Sequence, residues 1–306
     1  MEGKSMERVE LLTAPTRAAP HTVRRSGWLL TWRAFQKDKA AVAAAAVLGL
    51  IVALTCVAPW ISPYDPRDGD TALRLAPIGT PGHLLGVDGQ GRDILSRVLW
   101  GGRVTLPSAI VPVLMATAIG VTLGVMAGFH GGLVGSGIMR GCDVLFAFPT
   151  VILAIAIAGI IGRGLFNVML ALSVVLVPPM TRVTFTATRE TEAMDYIQAA
   201  RAIGGQEWRI MLWHILPNAI PPVIVYASTV VGLLVVFSAG LSFLGLGVSP
   251  PIADWGIMVS DGRTVLGVAP HVAAVPGLMI SITSLCCNLV GDGLRYALDP
   301  RMRNIG

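Results

Sequence analysis

Between residues 104 and 129 this chain runs for twenty-six residues without one charged side chain. As a helix such a run is about 39 Å long, enough to cross a hydrocarbon layer about 30 Å thick. An uncharged stretch of this length has no stable place in a water-soluble domain. Five further apolar runs share the character, at 40–61, 144–162, 165–181, 220–241 and 271–289. Only 13% of the residues are charged, against about 25% in an ordinary soluble domain. The 54% apolar content and mean hydropathy of +0.69 agree. The expected fold class is therefore an all-α membrane protein with six transmembrane helices.

Charge then orients the chain. Residues 1–39 form a polar, basic tail in which Lys4, Arg8, Arg17, Arg24, Arg25, Arg33, Lys37 and Lys39 outnumber the acids. The positive-inside rule puts this tail in the cytoplasm. Its first half is expected to be disordered, and Trp28, Trp32 and Phe35 have the spacing of a short interfacial helix. With six spans the other end is cytoplasmic too, where Arg295, Arg301 and Arg303 keep it basic. The net charge of +5 is thus a distribution between two membrane faces and not a nucleic-acid footprint. Outside, 62–102 forms a loop whose 88–103 part reads as a surface helix, with Asp93 and Arg97 placed i,i+4. Asp254, Trp255, Asp261 and Arg263 are expected outside as well, after an apolar segment ending at Pro250-Pro251. Such external residues read as a solvated cap or as a contact for a partner. Residues 130–143 form a short inward loop. Gly120, Gly124 and Gly128 make a small-residue stripe for close helix packing. Cys56, Cys142, Cys286 and Cys287 read as small buried hydrophobes, and His214 and His271 as interfacial residues at span ends.

A charge at mid-bilayer costs at least about 2.5–3.5 kcal/mol and usually marks an ion or proton route. No span after the first carries one near its centre. That disfavours an ion-coupled transporter and favours a pore moved from outside the membrane. No G-x-x-x-x-G-K-[ST] loop, G-x-S-x-G, H-E-x-x-H or C-x-x-C occurs. No catalytic constellation, metal site or cofactor site is expected in this chain.

The longest charged, amphipathic interruption in the second half is 192–222, with a hairpin expected at about 192–217. Ala193, Ile197, Ala200 and Ile203 fall on one helical face. After the Gly204-Gly205 turn the pattern restarts with Trp208, Met211, Leu212 and Ile215, and Pro217, Pro221 and Pro222 punctuate the start of the next span. This predicts a helix–turn–helix hairpin between two spans. By spacing alone it either docks to a partner or lies flat at the lipid interface. A self-contained channel or facilitator remains open at this point.

Within the hairpin, Gln198-Ala199-Ala200, Gly204 and Leu216-Pro217 are spaced as in the cytoplasmic motif of ABC importer permeases, with Gln198 for the usual Glu and His214 for an Ile. The 58–66 segment Ala-Pro-Trp-Ile-Ser-Pro-Tyr-Asp-Pro and the 83–93 segment His-Leu-Leu-Gly-Val-Asp-Gly-Gln-Gly-Arg-Asp extend the likeness. So do 241–251 with Asp254-Trp255-Gly256, and the tail Gly291-Asp-Gly-Leu-Arg295 with Leu298-Asp-Pro-Arg301. Together, over about 28–303, the chain resembles the C-type permease of dipeptide, oligopeptide and nickel importers. The resemblance implies a type I ABC importer permease fold in a prokaryotic cell membrane, with the hairpin as a cytoplasmic coupling helix. It implies a second, homologous permease subunit, an extracytoplasmic substrate-binding protein and two ATPase domains that hold ATP and Mg. The residues expected to dock the ATPase are Ala193, Ile197, Gln198, Ala199, Ala200, Ile203, Gly204, Gly205, Trp208, Leu216 and Pro217. Small peptides are the implied cargo, with nickel or another small solute as the alternative.

Overall fold

The structure, a computed structural model, describes residues 27–298. The expected disordered part of the tail, and Arg301 and Arg303, lie outside the described residues. The described residues form twelve α-helices in order: α1 Gly27–Lys37, α2 Lys39–Cys56, α3 Ala58–Ile61, α4 Ile94–His130, α5 Gly132–Phe146, α6 Thr150–Ile161, α7 Leu165–Glu192, α8 Asp195–Ala202, α9 Glu207–Ile210, α10 Leu216–Phe243, α11 Trp255–Gly262 and α12 His271–Leu298. Among the described residues there is no strand. Five helical stretches are long and apolar enough to cross a membrane, and α5 with α6 makes a sixth if that bent pair is one span.

Several spans extend beyond the apolar runs that announce them. The helix through 104–129 begins at Ile94 and has 37 residues, so it is about 55 Å long and overshoots the hydrocarbon layer. Residues 88–103 are accordingly no separate surface helix. Asp93 caps α4, accepting from the Ser96 N–H at 2.8 Å and from His83 Nδ1 at 2.9 Å. Arg97 does not pair with it: its side chain is buried, donates to the Pro66 carbonyl at 3.2 Å and lies 3.5 Å from Asp88. The fourth and sixth spans run on to Glu192 and Leu298, because their last turns find packing partners at the hairpin end.

The third span differs most. Residues 130–143, expected as a loop, are largely helical in α5, and the axis turns by 88° before α6. The break falls where Pro149 follows Phe148. A residue before proline is pushed out of the helical region, and Pro149 itself is extended (ψ 127°).

The close pair at the centre is α4 with α7. Gly120, Gly124 and Gly128 face Met180, Thr184 and Thr188, and a Cβ at 124 would lie 2.5 Å from the Thr184 Cβ and 2.7 Å from the Thr181 oxygen. Around this seam Val113, Ala154, Leu172, Leu176, Val230 and Leu234 build the main core. At the end bearing the 62–93 loop, Trp255 is fully buried and its Nε1 donates to the Val98 carbonyl at 2.9 Å. Asp254 caps α11 and accepts from the Thr105 hydroxyl at 2.6 Å, so these two residues are core and not exposed contacts. Burial pushes the Asp254 carboxyl above its usual range, against the lowering effect of the Thr105 hydrogen bond. His271 Nε2 donates to the Ala76 carbonyl at 3.1 Å. At the opposite end α1 packs on α12, with Phe35 buried beside Ala41 and Ala297. The tail helix, the hairpin and the end of α12 therefore share one end of the bundle.

Candidate functional site

The hairpin is built asymmetrically. Only its first arm, α8, is a separate helix. The second arm, α9, runs through a π-helical turn at Met211–Ile215 into α10, giving one 37-residue stretch over Glu207–Phe243. Pro217, Pro221 and Pro222 do not break it. Pro217 falls in the first turn of α10, where its N–H is not needed, and the Asn218 side chain donates to the His214 carbonyl at 2.6 Å.

The turn after α8 is a Schellman motif. The Gly204 N–H bonds the Arg201 carbonyl and the Gly205 N–H bonds the Ala200 carbonyl, both at 3.0 Å. Gly204 has φ +82°, the left-handed region that glycine adopts without strain. Gly205 is needed for closeness, since a Cβ there would meet the Ala200 oxygen at 2.6 Å.

The apolar face expected over both arms is divided. Ile197, Ile210 and Ile215 are buried with Phe129 of α4, and Ala200 and Met211 pack against them. Ile203 is 87% exposed and Trp208 53% exposed, with Leu212 and Trp213 also outward. Ala193 is the C-cap of α7 and exposed. Ala199 and Pro217 are exposed, whereas Leu216 is half-buried. One set of apolar residues fastens the corner to its own spans, and the other faces away.

Polar contacts complete the fastening. Glu192 takes Arg189 at 2.9 Å and Arg201 at 3.0 Å, and the Arg201 guanidinium lies 5.1 Å from the Phe129 ring centre. Gln198 Nε2 donates to the Glu192 carbonyl at 3.0 Å, a freed acceptor at the end of α7. A carboxylate in this place has no proton to donate, so Gln for Glu gives this corner a clasp. His214 stacks edge-on with Tyr196, whose hydroxyl accepts from Asn218 at 3.2 Å. Both departures from the motif thus have intramolecular partners, which residue spacing could not reveal.

Sequence reasoning also missed a cavity of about 170 Å³ between α5, α6, α7 and α10. It is lined by Phe146, Phe148, Val175, Pro178, Tyr226 and Phe237, among others. The 88° break creates it, and the Phe148-Pro149 pair was the available signal.

A bundle of six spans, one of them bent, with a short clamped corner helix between the fourth and fifth, defines an integral membrane permease of the type I importer fold. The chain belongs to the binding-protein-dependent transport system inner membrane components: residues 120–304 match that family, and 26–77 match the N-terminal transmembrane domain of oligopeptide transport permease C. It is 41% identical over 280 residues to the glutathione transport system permease protein GsiD of Pectobacterium atrosepticum, covering 92% of this chain and 93% of that one. The protein of the same name from Escherichia coli O6:K15:H31 is 39% identical over 279 residues, covering 91% and 92%. The inward-facing MetNI methionine ABC transporter matches in fold, with a TM-score of 0.55 and 21% identity over 66% of this chain and 96% of that chain. The protein is thus a multi-pass permease subunit of an ABC importer and carries no catalytic function of its own.

Proposed function

We propose that this chain moves small peptides inward as one half of a permease heterodimer, driven by two ATPase domains that dock on the α8 corner. In this reading the hairpin end faces the cytoplasm, an orientation supported by the basic tail at 1–39. An extracytoplasmic binding protein delivers the cargo at the other end, and ATP with Mg is held by the ATPase partners. The peptide cargo follows the two glutathione-permease relatives.

The observation that carries the reading is the division of the corner into an anchored and a free apolar set. An eight-residue helix has no independent stability, so it transmits force only if fastened to its spans. Ile197, Glu192 and Gln198 fasten it. Ile203, Gly204, Trp208 and Leu212 then form the outward surface for an ATPase groove, and motion of that groove rocks α7 and α10 together. The test compares Gly204→Trp with Gly204→Asn in the complex co-expressed from its neighbouring genes. Asparagine tolerates positive φ, so it controls for backbone strain. The tryptophan variant should lose ATPase co-purification and uptake while the asparagine variant keeps both. Full co-purification and uptake with tryptophan would sink the docking role, and no ATPase co-purifying with the unaltered chain would favour a channel.

A further inference from the structure

The spans of this permease are nearly free of charge, which makes the one ion pair beside the cavity informative. Asp143 of α5 and Arg182 of α7 pair with each other, and the Arg182 guanidinium lies 4.5 Å from the ring centre of Phe146. Phe146 lines the cavity, as do Pro178 and Pro179 one turn before Arg182. The pair therefore lies beside the cavity, one turn nearer the hairpin along α7. Its side chains are 55% and 50% exposed, and each uses one contact with the other. A pair joined by a single contact leaves most of its donor and acceptor positions open.

The cavity above the pair is apolar and about 170 Å³, close to the engineered cavities of about 150 Å³ that admit a benzene ring. Its α7 wall has a further property. Pro179 has no N–H, so the carbonyl of Val175, a lining residue, lacks its usual helical donor. Pair and wall together offer one cationic fork, one carboxylate, one acceptor without its helical partner and an apolar socket.

We propose that Asp143 and Arg182 form a binding station for a small zwitterion on the translocation path: Arg182 takes a peptide's carboxylate, Asp143 its ammonium, and the cavity one apolar side chain. The two residues hold each other between passages and exchange that contact for the cargo's ends. This rests on the importer reading and adds a site to it within the permease itself.

The test uses the complete complex in nanodiscs and a tritiated alanyl-photoleucine dipeptide supplied directly at millimolar concentration. After irradiation, the label is mapped by mass spectrometry. The unaltered complex should be labelled at lining residues such as Phe146, Phe148 and Val175. Arg182→Gln and Asp143→Asn should each lower this labelling at least tenfold while the ATPase subunits still co-purify. The N-acetylated dipeptide should label weakly and equally in the unaltered and Asp143→Asn complexes, and the amidated one likewise with Arg182→Gln. Absence of label from the unaltered complex, undiminished label in either variant, or loss of assembly in both would overturn the inference. So would restored labelling in the double swap R182D/D143R, which would mean a structural pair. Since ATPase co-purification is scored separately, the importer reading is judged apart from this one.

Discussion

Replacing Ile197 with alanine removes the side chain that ties α8 to the rest of the molecule. Ile197 is fully buried against Phe129, Ile210 and Ile215. Truncating a buried isoleucine to alanine costs about 2–5 kcal/mol, with the spread set by how far the site can collapse. The corner lies at the molecular edge, beside the exposed Met194 and Tyr196, so neighbours can close part of the gap and the lower half of the range applies. Because α8 has eight residues and cannot hold itself, the loss falls on local opening of the corner and not on the whole bundle. At about 2–3 kcal/mol, and about 1.4 kcal/mol per factor of ten, opening becomes about 30- to 150-fold more frequent. Hydrogen exchange read by mass spectrometry over 195–203 measures this directly. Those amides should exchange faster by that factor, while α4 and α7 at 109–124 and 168–181 stay unchanged. Ile203→Ala is the matched control: being 87% exposed, it should leave exchange in place and weaken only ATPase association. Unchanged exchange at 195–203 in Ile197→Ala would refute the claim that this side chain fastens the corner.

Two further outcomes test the frame around the corner. Gly124→Val should destabilise the α4–α7 seam by about 1–3 kcal/mol or more, since its Cβ meets backbone of α7 at 2.7 and 2.9 Å that cannot swing aside; thermal unfolding in detergent measures it. Asp254 is held above its usual range by burial, so the folded protein binds its proton more tightly than the unfolded chain does. Its contribution is full below the unfolded value of about 3.9 and is lost as pH rises through the raised folded value. Asp254→Asn keeps the acceptor for the Thr105 hydroxyl and should flatten that decline in melting temperature across pH 4 to 8; an unchanged slope would refute it.

What could be read from the chain alone has a common physical origin. Membrane insertion depends on the summed transfer energy of a local run, so 104–129 and the other apolar stretches announce spans without knowledge of their neighbours. The Gly-Gly turn is local in the same way, as is the glycine stripe, whose period of four is fixed by helix geometry. The basic tail supplies the proposed orientation in the same way, because charge counts need no coordinates.

Other features are decided between residues far apart in sequence. Ile197 and Ile203 are both isoleucines, six residues apart and assigned by periodicity to one face. One is buried and the other outward because Phe129, at the end of a different span, covers only the first. Asp93 and Arg97 have the spacing of a pair, yet Asp88 and the Pro66 carbonyl compete for the arginine and win. Three prolines expected to mark the start of the fifth span lie within one continuous helical stretch, Glu207–Phe243, which passes through a π turn at Met211–Ile215. Asp143 and Arg182 lie 39 residues apart and meet because α5 packs against α7. Local sequence determined that this protein crosses the membrane and where it turns. Packing between spans decided which face of each turn is anchored, which is free, and where a cavity with charges beside it could form.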